Sequence, residues 1–256
     1  MGRGRGVKRR AVRRTIAGAG RKTIIIGDIH GRLELMTELL QAARAIDKEG
    51  RRVPGLTVYG LGDIVHGTIK SEAGDLACLD AAEHWLDASV IGNHEAALIG
   101  LTEFVGVWRN GPVASRVRSL VFKGFFVPAL LEGHSLIVHG GVPPGLAHED
   151  ATSTYAAIMS AWDENPQGPL FNAVSSPRRG GDPSKEGGIF WLDWEESRAG
   201  HLSQIVGHSP LEEPELQSKG PVFHLNLDIS NRYGKYGAAA LLIDGEPAEI
   251  ISLDRS

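Results

Sequence analysis

The chain of 256 residues repeats one chemical arrangement, in which a short apolar run ends in glycine and a side chain that can bind a metal. The first copy is Gly27-Asp28-Ile29-His30-Gly31, which follows the apolar run 23–26. This copy places a carboxylate and an imidazole two residues apart in the chain. Such ligands suit transition metals, and a pair of divalent ions can clamp a phosphate and generate a hydroxide at neutral pH.

Four further copies follow in chain order. They are Gly62-Asp63, Gly92-Asn93-His94-Glu95, His139-Gly140-Gly141 and Gly207-His208. A lone copy is more often a helix cap or a turn than a metal ligand. Five copies, each beside a glycine that lets the backbone turn tightly, predict one shared site.

The elements around the first motif are typical of an open α/β sheet. The β-branched run 23–26 predicts a buried strand, and the apolar spacing from Leu33 to Ala43 predicts a helix after it. Asp28 and His30 then lie in a strand-to-helix loop at the carboxyl edge of the sheet, where such folds bind ligands. Apolar patterns predict further helices at 72–86 and 150–162, an antiparallel pair at 129–138, and strands at 89–91, 204–206, 222–227, 238–243 and 248–253.

As a set, the motifs GDIHG, GDIVHG, GNHE, VHGG and GHS resemble those of the calcineurin-like metallophosphoesterases. Within that superfamily they are most similar to the phosphoprotein phosphatase (serine/threonine phosphatase) branch and its diadenosine tetraphosphatase relatives. The resemblance spans residues 24 to about 243. It implies an α/β fold in which a two-sheet βαβ sandwich is flanked by helices, with a dimetal site at the carboxyl ends of the strands.

The resemblance also implies the roles of the motif residues. The first metal would be held by Asp28, His30 and Asp63, and the second by the same bridging Asp63 with Asn93, His139 and His208. A hydroxide between the metals would attack phosphorus, His94 would protonate the departing alkoxide, and Glu95 would orient the loop. The mixed ligands suit manganese, with iron and zinc as alternatives, better than magnesium or calcium.

The second motif departs from the branch pattern GD-x-VDRG. It has His66 in place of the aspartate and lacks the arginine, and the arginine that often precedes GNHE is also missing. His66 is therefore a candidate substrate-binding residue. Arg178 and Arg179, in the Gly-, Pro- and Ser-rich segment 165–188, are candidates to replace the lost phosphate clamps. The alternative for this arginine pair is an exposed loop without a role.

These features predict a metal-dependent phosphoesterase, in the first place a phosphomonoesterase of serine/threonine-phosphatase type acting on a phosphorylated protein or nucleotide. A dinucleoside polyphosphate hydrolase of the diadenosine tetraphosphatase type is the alternative, because it tolerates a different clamp. A second alternative is a catalytically silent scaffold that binds phosphate or RNA.

Charge divides the chain unevenly. Residues 1–22 hold nine basic and no acidic side chains, whereas the remainder holds 18 basic and 31 acidic side chains. Together with its glycines, this predicts a disordered basic tail at 1–22 and a metallophosphoesterase domain at 23–256. Such a tail could contact nucleic acid or another polyanion through phosphate groups, and the alternative is a solvated extension without a binding role.

Two absences in the sequence bear on location. No run approaches the roughly 18 to 20 apolar residues that span a bilayer, so no membrane partner is expected. The single cysteine, Cys78, excludes an intrachain disulfide framework and fits a reducing compartment. The sequence therefore predicts a cytoplasmic protein. Cys78 itself is predicted to be a small buried residue on a helix.

Overall fold

A computed structural model describes residues 6–12, 20–65, 71–102, 111–176, 180–196, 198–229 and 237–254. Their strands form two sheets, which pack against each other with helices outside. The predicted two-sheet α/β architecture is thereby confirmed. Among these residues, no helix has the length and apolar character needed to cross a bilayer.

The first sheet has seven strands. In their order across the sheet these are β1 (Gly6–Ala11), β12 (Glu246–Asp254), β11 (Gly237–Ile243), β2 (Lys22–Ile26), β3 (Leu56–Gly60), β4 (Ala88–Val90) and β5 (Phe126–Val127). Strands β2 to β5 are parallel, and β11, β12 and β1 extend the sheet antiparallel. The carboxyl ends of β2, β3 and β4 therefore share one edge.

The second sheet has five strands. Their order is β6 (Leu130–Glu132), β7 (Ser135–Ile137), β8 (Ser203–Val206), β10 (Val222–Asn226) and β9 (Glu215–Lys219). Strands β7, β8 and β10 are parallel, while β6 and β9 pair antiparallel with their neighbours. The predicted β6–β7 hairpin is confirmed.

Helices connect and cover the sheets. They are α1 (Leu33–Ala42), α2 (Glu72–Trp85), α3 (Asn93–Ile99), α4 (Pro112–Phe122), α5 (Ala151–Glu164) and the short α6 (Pro169–Asn172). Helix α2 begins where the Ser71 hydroxyl accepts the Gly74 N–H, and α5 begins where the Asp150 carboxylate accepts the Ser153 N–H. These caps satisfy backbone donors that the first turn leaves without a helical partner.

Side-chain alternation on β2 explains the layers. Ile25 packs between the sheets with residues such as Ile205, whereas Ile24 and Ile26 pack on the opposite face with helix residues such as Leu39. Both faces of the strand are buried, which is why the sequence reads as one continuous apolar run. This burial fixes the strand ends from which the metal-capable side chains project.

The basic N-terminal segment differs from its prediction. Residues Gly6–Ala11 form β1, which pairs along its length with β12, and Arg9 forms an ion pair of 2.9 Å with Glu249. The prediction of disorder is therefore wrong for these residues. Charge and glycine content suggested disorder, but the open edge of β12 supplies backbone partners that composition does not reveal. The domain boundary at residue 23 remains a prediction.

Candidate dimetal site

The strand ends bring the metal-capable side chains into one cluster. The ligand atoms of Asp28, Asp63 and His139 all lie within 4.8 Å of one another, as do those of His30, Asp63 and His94. The residues follow β2, β3, β4 and β7, so both sheets contribute to the cluster. All of them except His30, which is partly exposed, are buried.

Asp63 lies at the centre, with its two oxygens facing different groups. Its Oδ1 is 3.6 Å from His139 Nε2, whereas its Oδ2 is 4.0 Å from His30 Nδ1 and 3.7 Å from His94 Nε2. The Oδ1 atom also accepts the backbone N–H of His94 at 3.0 Å. A carboxylate placed in this way can bridge two metal ions.

Asn93, at the start of α3, joins the cluster to β8. Its Oδ1 is 3.0 Å from His139 Nε2 and 2.9 Å from His208 Nδ1. Two ligands at right angles on one metal, each about 2.1 Å from it, are about 3.0 Å apart. The amide oxygen and both imidazoles therefore fit the coordination sphere of a single divalent ion.

The ring orientation of His139 is fixed by a backbone carbonyl on the side of the ring that faces away from the cluster. Its Nδ1 is 2.7 Å from the carbonyl oxygen of Leu61. Because a carbonyl can only accept a hydrogen bond, Nδ1 carries the proton. The lone pair of Nε2 is then directed at Asp63 and Asn93, as a metal ligand requires.

Three residues of the cluster have a left-handed backbone. The φ angles are 53° at His30, 47° at Asp63 and 67° at His208. Such a conformation is uncommon outside glycine and is maintained where the surrounding structure enforces it. This conformation turns each side chain into the site. The ligands are therefore brought together at the expense of local backbone strain.

Two glycines give the carboxylates room. A Cβ at Gly92 would overlap Asp63 Oδ1, and a Cβ at Gly207 would overlap Asp28 Oδ1. The backbone therefore approaches both carboxylates more closely than any other residue type permits. These glycines belong to the sequence motifs because of this contact.

Glu95 orients the loop after β3, as predicted. Its Oε2 accepts the N–H groups of Asp63 at 2.8 Å and Gly92 at 3.0 Å, and its Oε1 accepts that of Val65 at 3.0 Å. Burial raises the pKa of Glu95 to about 8, and the charge of Asp63 adds to the effect. Glu95 thus ties two ligand-bearing loops together through their backbone N–H groups.

The electrostatics of the cluster favour cations. Burial raises the pKa of Asp28 well above its ordinary value, and the charges of Asp228 and Asp63 reinforce the shift. Burial acts in the same direction on Asp63, but His94, His139 and His30 lower its pKa overall. Asp28 Oδ1 is buried and accepts no hydrogen bond from the residues that the structure describes. Crowded buried carboxylates of this kind fit a divalent metal site.

Two carboxylates outside the predicted ligand set lie near the site. Asp193 Oδ1 lies 3.6 Å from His208 Nε2, and buried Asp228, two residues after the end of β10, is close enough to raise the pKa of Asp28. The apolar run 222–227 before Asp228 follows the pattern of the other motifs, so the sequence already predicts that Asp228 lies at a strand end and could approach the cleft. Asp193 follows no predicted strand, so nothing in the sequence marked it.

The candidate substrate residues cannot be placed in the same way. His66, Arg178 and Arg179 lie outside the residues that the structure describes. His94 is described and lies beside His30, with ring centroids 5.1 Å apart. Its ligand nitrogen lies within 4.8 Å of the ligand atoms of His30 and Asp63, so this ring could also bind a metal. The role of His94 as proton donor therefore remains a prediction.

Comparison with known proteins identifies the class. A family model described as calcineurin-like phosphoesterase matches residues 21–243, so the chain belongs to that family. The chain is accordingly a hydrolytic enzyme, a metallophosphoesterase that acts on phosphorylated substrates, and its family depends on two metals. A search of curated protein sequences found no significant match.

Three solved structures share the fold. A candidate diadenosine tetraphosphatase is 19% identical, with 92% of this chain and 95% of that chain covered and a TM-score of 0.53. A cold-active protein-tyrosine phosphatase of a psychrophilic Shewanella species is 16% identical, with 89% and 76% covered and a TM-score of 0.56. A protein serine/threonine phosphatase from Saccharomyces cerevisiae is 15% identical, with 94% and 82% covered and a TM-score of 0.54. At these identities the likeness supports the fold alone.

Proposed function

We propose that the chain is a phosphomonoesterase of serine/threonine-phosphatase type that uses two divalent metal ions, with manganese preferred over iron or zinc. The observation that carries the proposal is the position of Asp63, whose two oxygens face different sets of metal-capable side chains. Asp28 and His30 would hold the first ion with Asp63. The second would be held by Asp63, Asn93, His139 and His208.

Two such ions supply Lewis acidity toward phosphoryl oxygens and lower the pKa of a bound water. The protein decides where the substrate enters. The side chains of His139 and His208 are 0% and 1% exposed, whereas those of His30 and His94 are 22% and 11% exposed. The phosphate ester therefore approaches from the side of His30 and His94.

His94 is the proposed catalytic acid. Its backbone N–H is fixed on Asp63 Oδ1, and its Nε2 lies 3.7 Å from Asp63 Oδ2 at the exposed side of the cluster. From there it can deliver a proton to the departing oxygen of the ester. His66, Arg178 and Arg179 stay candidates for binding the phosphate.

A dinucleoside polyphosphate hydrolase is the second candidate. The observation in its favour is the second motif, where neither the aspartate nor the arginine of the phosphatase pattern is present. A chain of several phosphates offers more anionic oxygens than a monoester and depends less on one arginine clamp. The basic residues near the N-terminus could help to bind such a polyanionic substrate.

The cytoplasmic location of the protein remains a prediction.

The test is phosphate release by metal-stripped protein reloaded with manganese, iron or zinc. Four substrates are compared: an aryl phosphate, a phosphopeptide, an aryl phosphodiester and a dinucleoside tetraphosphate. We expect turnover of the aryl phosphate and phosphopeptide, highest with manganese. Asp63→Asn is the control and should lose at least about 10³-fold, because the metals contribute several kcal/mol to the barrier reduction.

The substrate order separates the candidates. Preference for the dinucleoside tetraphosphate would replace the phosphatase assignment with the polyphosphate hydrolase. Silence on all four substrates, with two metals demonstrably bound, would reject the proposed catalysis in favour of a phosphate- or RNA-binding scaffold. The scaffold predicts salt-sensitive RNA binding that is lost on deletion of residues 1–22.

A further inference from the structure

The two buried histidines present different ring nitrogens to the cluster. His139 directs Nε2 at Asn93 Oδ1, and His208 directs Nδ1 at the same oxygen. The opposite nitrogen of His139 is held by a backbone carbonyl, that of Leu61. The opposite nitrogen of His208 faces the carboxylate of Asp193, with 3.6 Å between Nε2 and Oδ1.

Asp193 is itself firmly placed. It is 4% exposed, its backbone N–H donates to Glu196 Oε2 at 2.7 Å, and its carbonyl accepts a hydrogen bond of 2.8 Å from Arg198. The hydroxyl of Ser209, the residue after His208, donates to Asp193 Oδ1 at 3.3 Å. The backbone of Asp193 is therefore held by its own segment, and the Ser209 hydroxyl holds the carboxylate oxygen that faces His208.

We propose that Asp193 is a positioning residue for the second metal site, an inference that rests on the proposed function. When Nδ1 of His208 binds the metal, the ring proton resides on Nε2, which faces Asp193 Oδ1. Accepting that proton fixes the ring orientation and makes Nδ1 a stronger ligand. A distance of 3.6 Å is longer than a hydrogen bond, and we expect it to shorten on metal binding.

The proposal accounts for a difference between the histidines. The carbonyl of Leu61 is part of the chain after β3 and orients His139 without any side chain. His208 Nε2, in contrast, faces a side-chain carboxylate, that of Asp193, at 3.6 Å. Substitution of such partners typically lowers metal affinity 10- to 100-fold.

The experiment is calorimetric titration of the metal-stripped full chain with Mn²⁺, with bound metal counted by elemental analysis. Two ions should bind to the unmodified protein. In Asp193→Ala, affinity for one ion should fall 10- to 100-fold, while the other binds as before. Asp193→Asn keeps an oxygen that can accept the Nε2 proton, so it should recover part of the loss.

Glu215→Gln is the matched control. Glu215 accepts the indole N–H of Trp194 at 3.0 Å, so it anchors the same stretch without contacting His208. It should bind both ions with unchanged affinity. In the zinc-loaded unmodified protein, nitrogen NMR should also detect a slowly exchanging Nε2 proton on His208 that Asp193→Ala lacks.

Unchanged affinity for both ions in Asp193→Ala would overturn the inference, and so would an equal loss in Glu215→Gln. If Asp193→Ala does not fold, Asp193→Asn decides. A loss of about tenfold supports the inference, whereas unchanged affinity rejects it. An unmodified protein that binds no metal would instead reject the proposed function, so the two failures are distinguishable.

Discussion

On the seven-stranded sheet, the carboxylates of the site are held by backbone N–H groups, whereas on the five-stranded sheet the imidazoles are held through their second ring nitrogen. We call the first group, Asp28 and Asp63 with the loops that carry them, the carboxylate side. The second group, His139 and His208, is the histidine side. Asp63 Oδ1 accepts the N–H of His94 and Asp28 Oδ2 that of His208, while the histidine rings face Leu61 and Asp193.

The difference follows from the chemistry of the ligands. A carboxylate has several lone-pair sites, and the backbone, which comes close to each carboxylate at a glycine, donates one N–H to Asp63 and one to Asp28. An imidazole that binds a metal has one remaining N–H and needs one acceptor. The carboxylate side therefore depends on backbone conformation, and the histidine side on single partners.

The largest effect on activity should come from a substitution at Gly207, where the backbone of the histidine side approaches a carboxylate of the carboxylate side. In Gly207→Ala, the new methyl group overlaps Asp28 Oδ1 and displaces that carboxylate. We expect at least about a 10²-fold loss of metal-dependent turnover, because small misplacements of reacting groups have effects of this size. Gly200→Ala is the control, since its nearest neighbouring atom is 4.0 Å away, and full activity in Gly207→Ala would contradict the close-approach argument.

Next in size is the stability effect of Glu95→Ala on the carboxylate side. The change removes the acceptor of three backbone N–H groups, and each buried unsatisfied donor costs about 1–3 kcal/mol. Allowing for water entering the gap, the free energy of unfolding should fall by about 2–4 kcal/mol in chemical denaturation. Glu34→Ala, on the exposed face of α1, should change it by less than about 1 kcal/mol.

On the histidine side, Trp191→Phe should have a smaller effect. Trp191 lies edge-on to His208 with centroids 5.7 Å apart, and its indole N–H donates to Thr102 Oγ1 at 3.2 Å. The free energy of unfolding should fall by about 1–2 kcal/mol, while manganese affinity stays unchanged. A loss of affinity equal to that of Asp193→Ala would show that packing, rather than the carboxylate, holds His208.

The smallest effect concerns His224 on β10. Burial lowers the pKa of His224 below 6.5, and Arg198 adds to the shift. The unfolded chain therefore binds more protons than the folded chain just below pH 6.5, so stability falls as the pH decreases through that region. In His224→Gln, the melting temperature should depend less steeply on pH between about 6.5 and 5. An unchanged slope would exclude His224 as a source of acid sensitivity.

Sequence patterns predicted those elements whose burial is regular. Strand β2 was anticipated from its continuous apolar run, and helix α5 and the β6–β7 hairpin were anticipated from their apolar patterns and the Gly133-His134 turn. Strand β9 was missed because Glu215–Lys219 is mostly polar and exposed, and it is held chiefly by backbone pairing with β10. Strand β1 was missed for the same reason, since its pairing depends on a partner more than 230 residues away.

By itself, the sequence determined which side chains could bind metal and in what order they follow the strands. That information is local, because glycine and the ligand are adjacent in each motif. Only the tertiary structure decided which oxygen of Asp63 faces which histidine, which ring nitrogen of His208 points inward, and that Asp193 lies behind it. These depend on side-chain rotation and on the packing of two sheets, and such contacts leave no periodic signal in the chain.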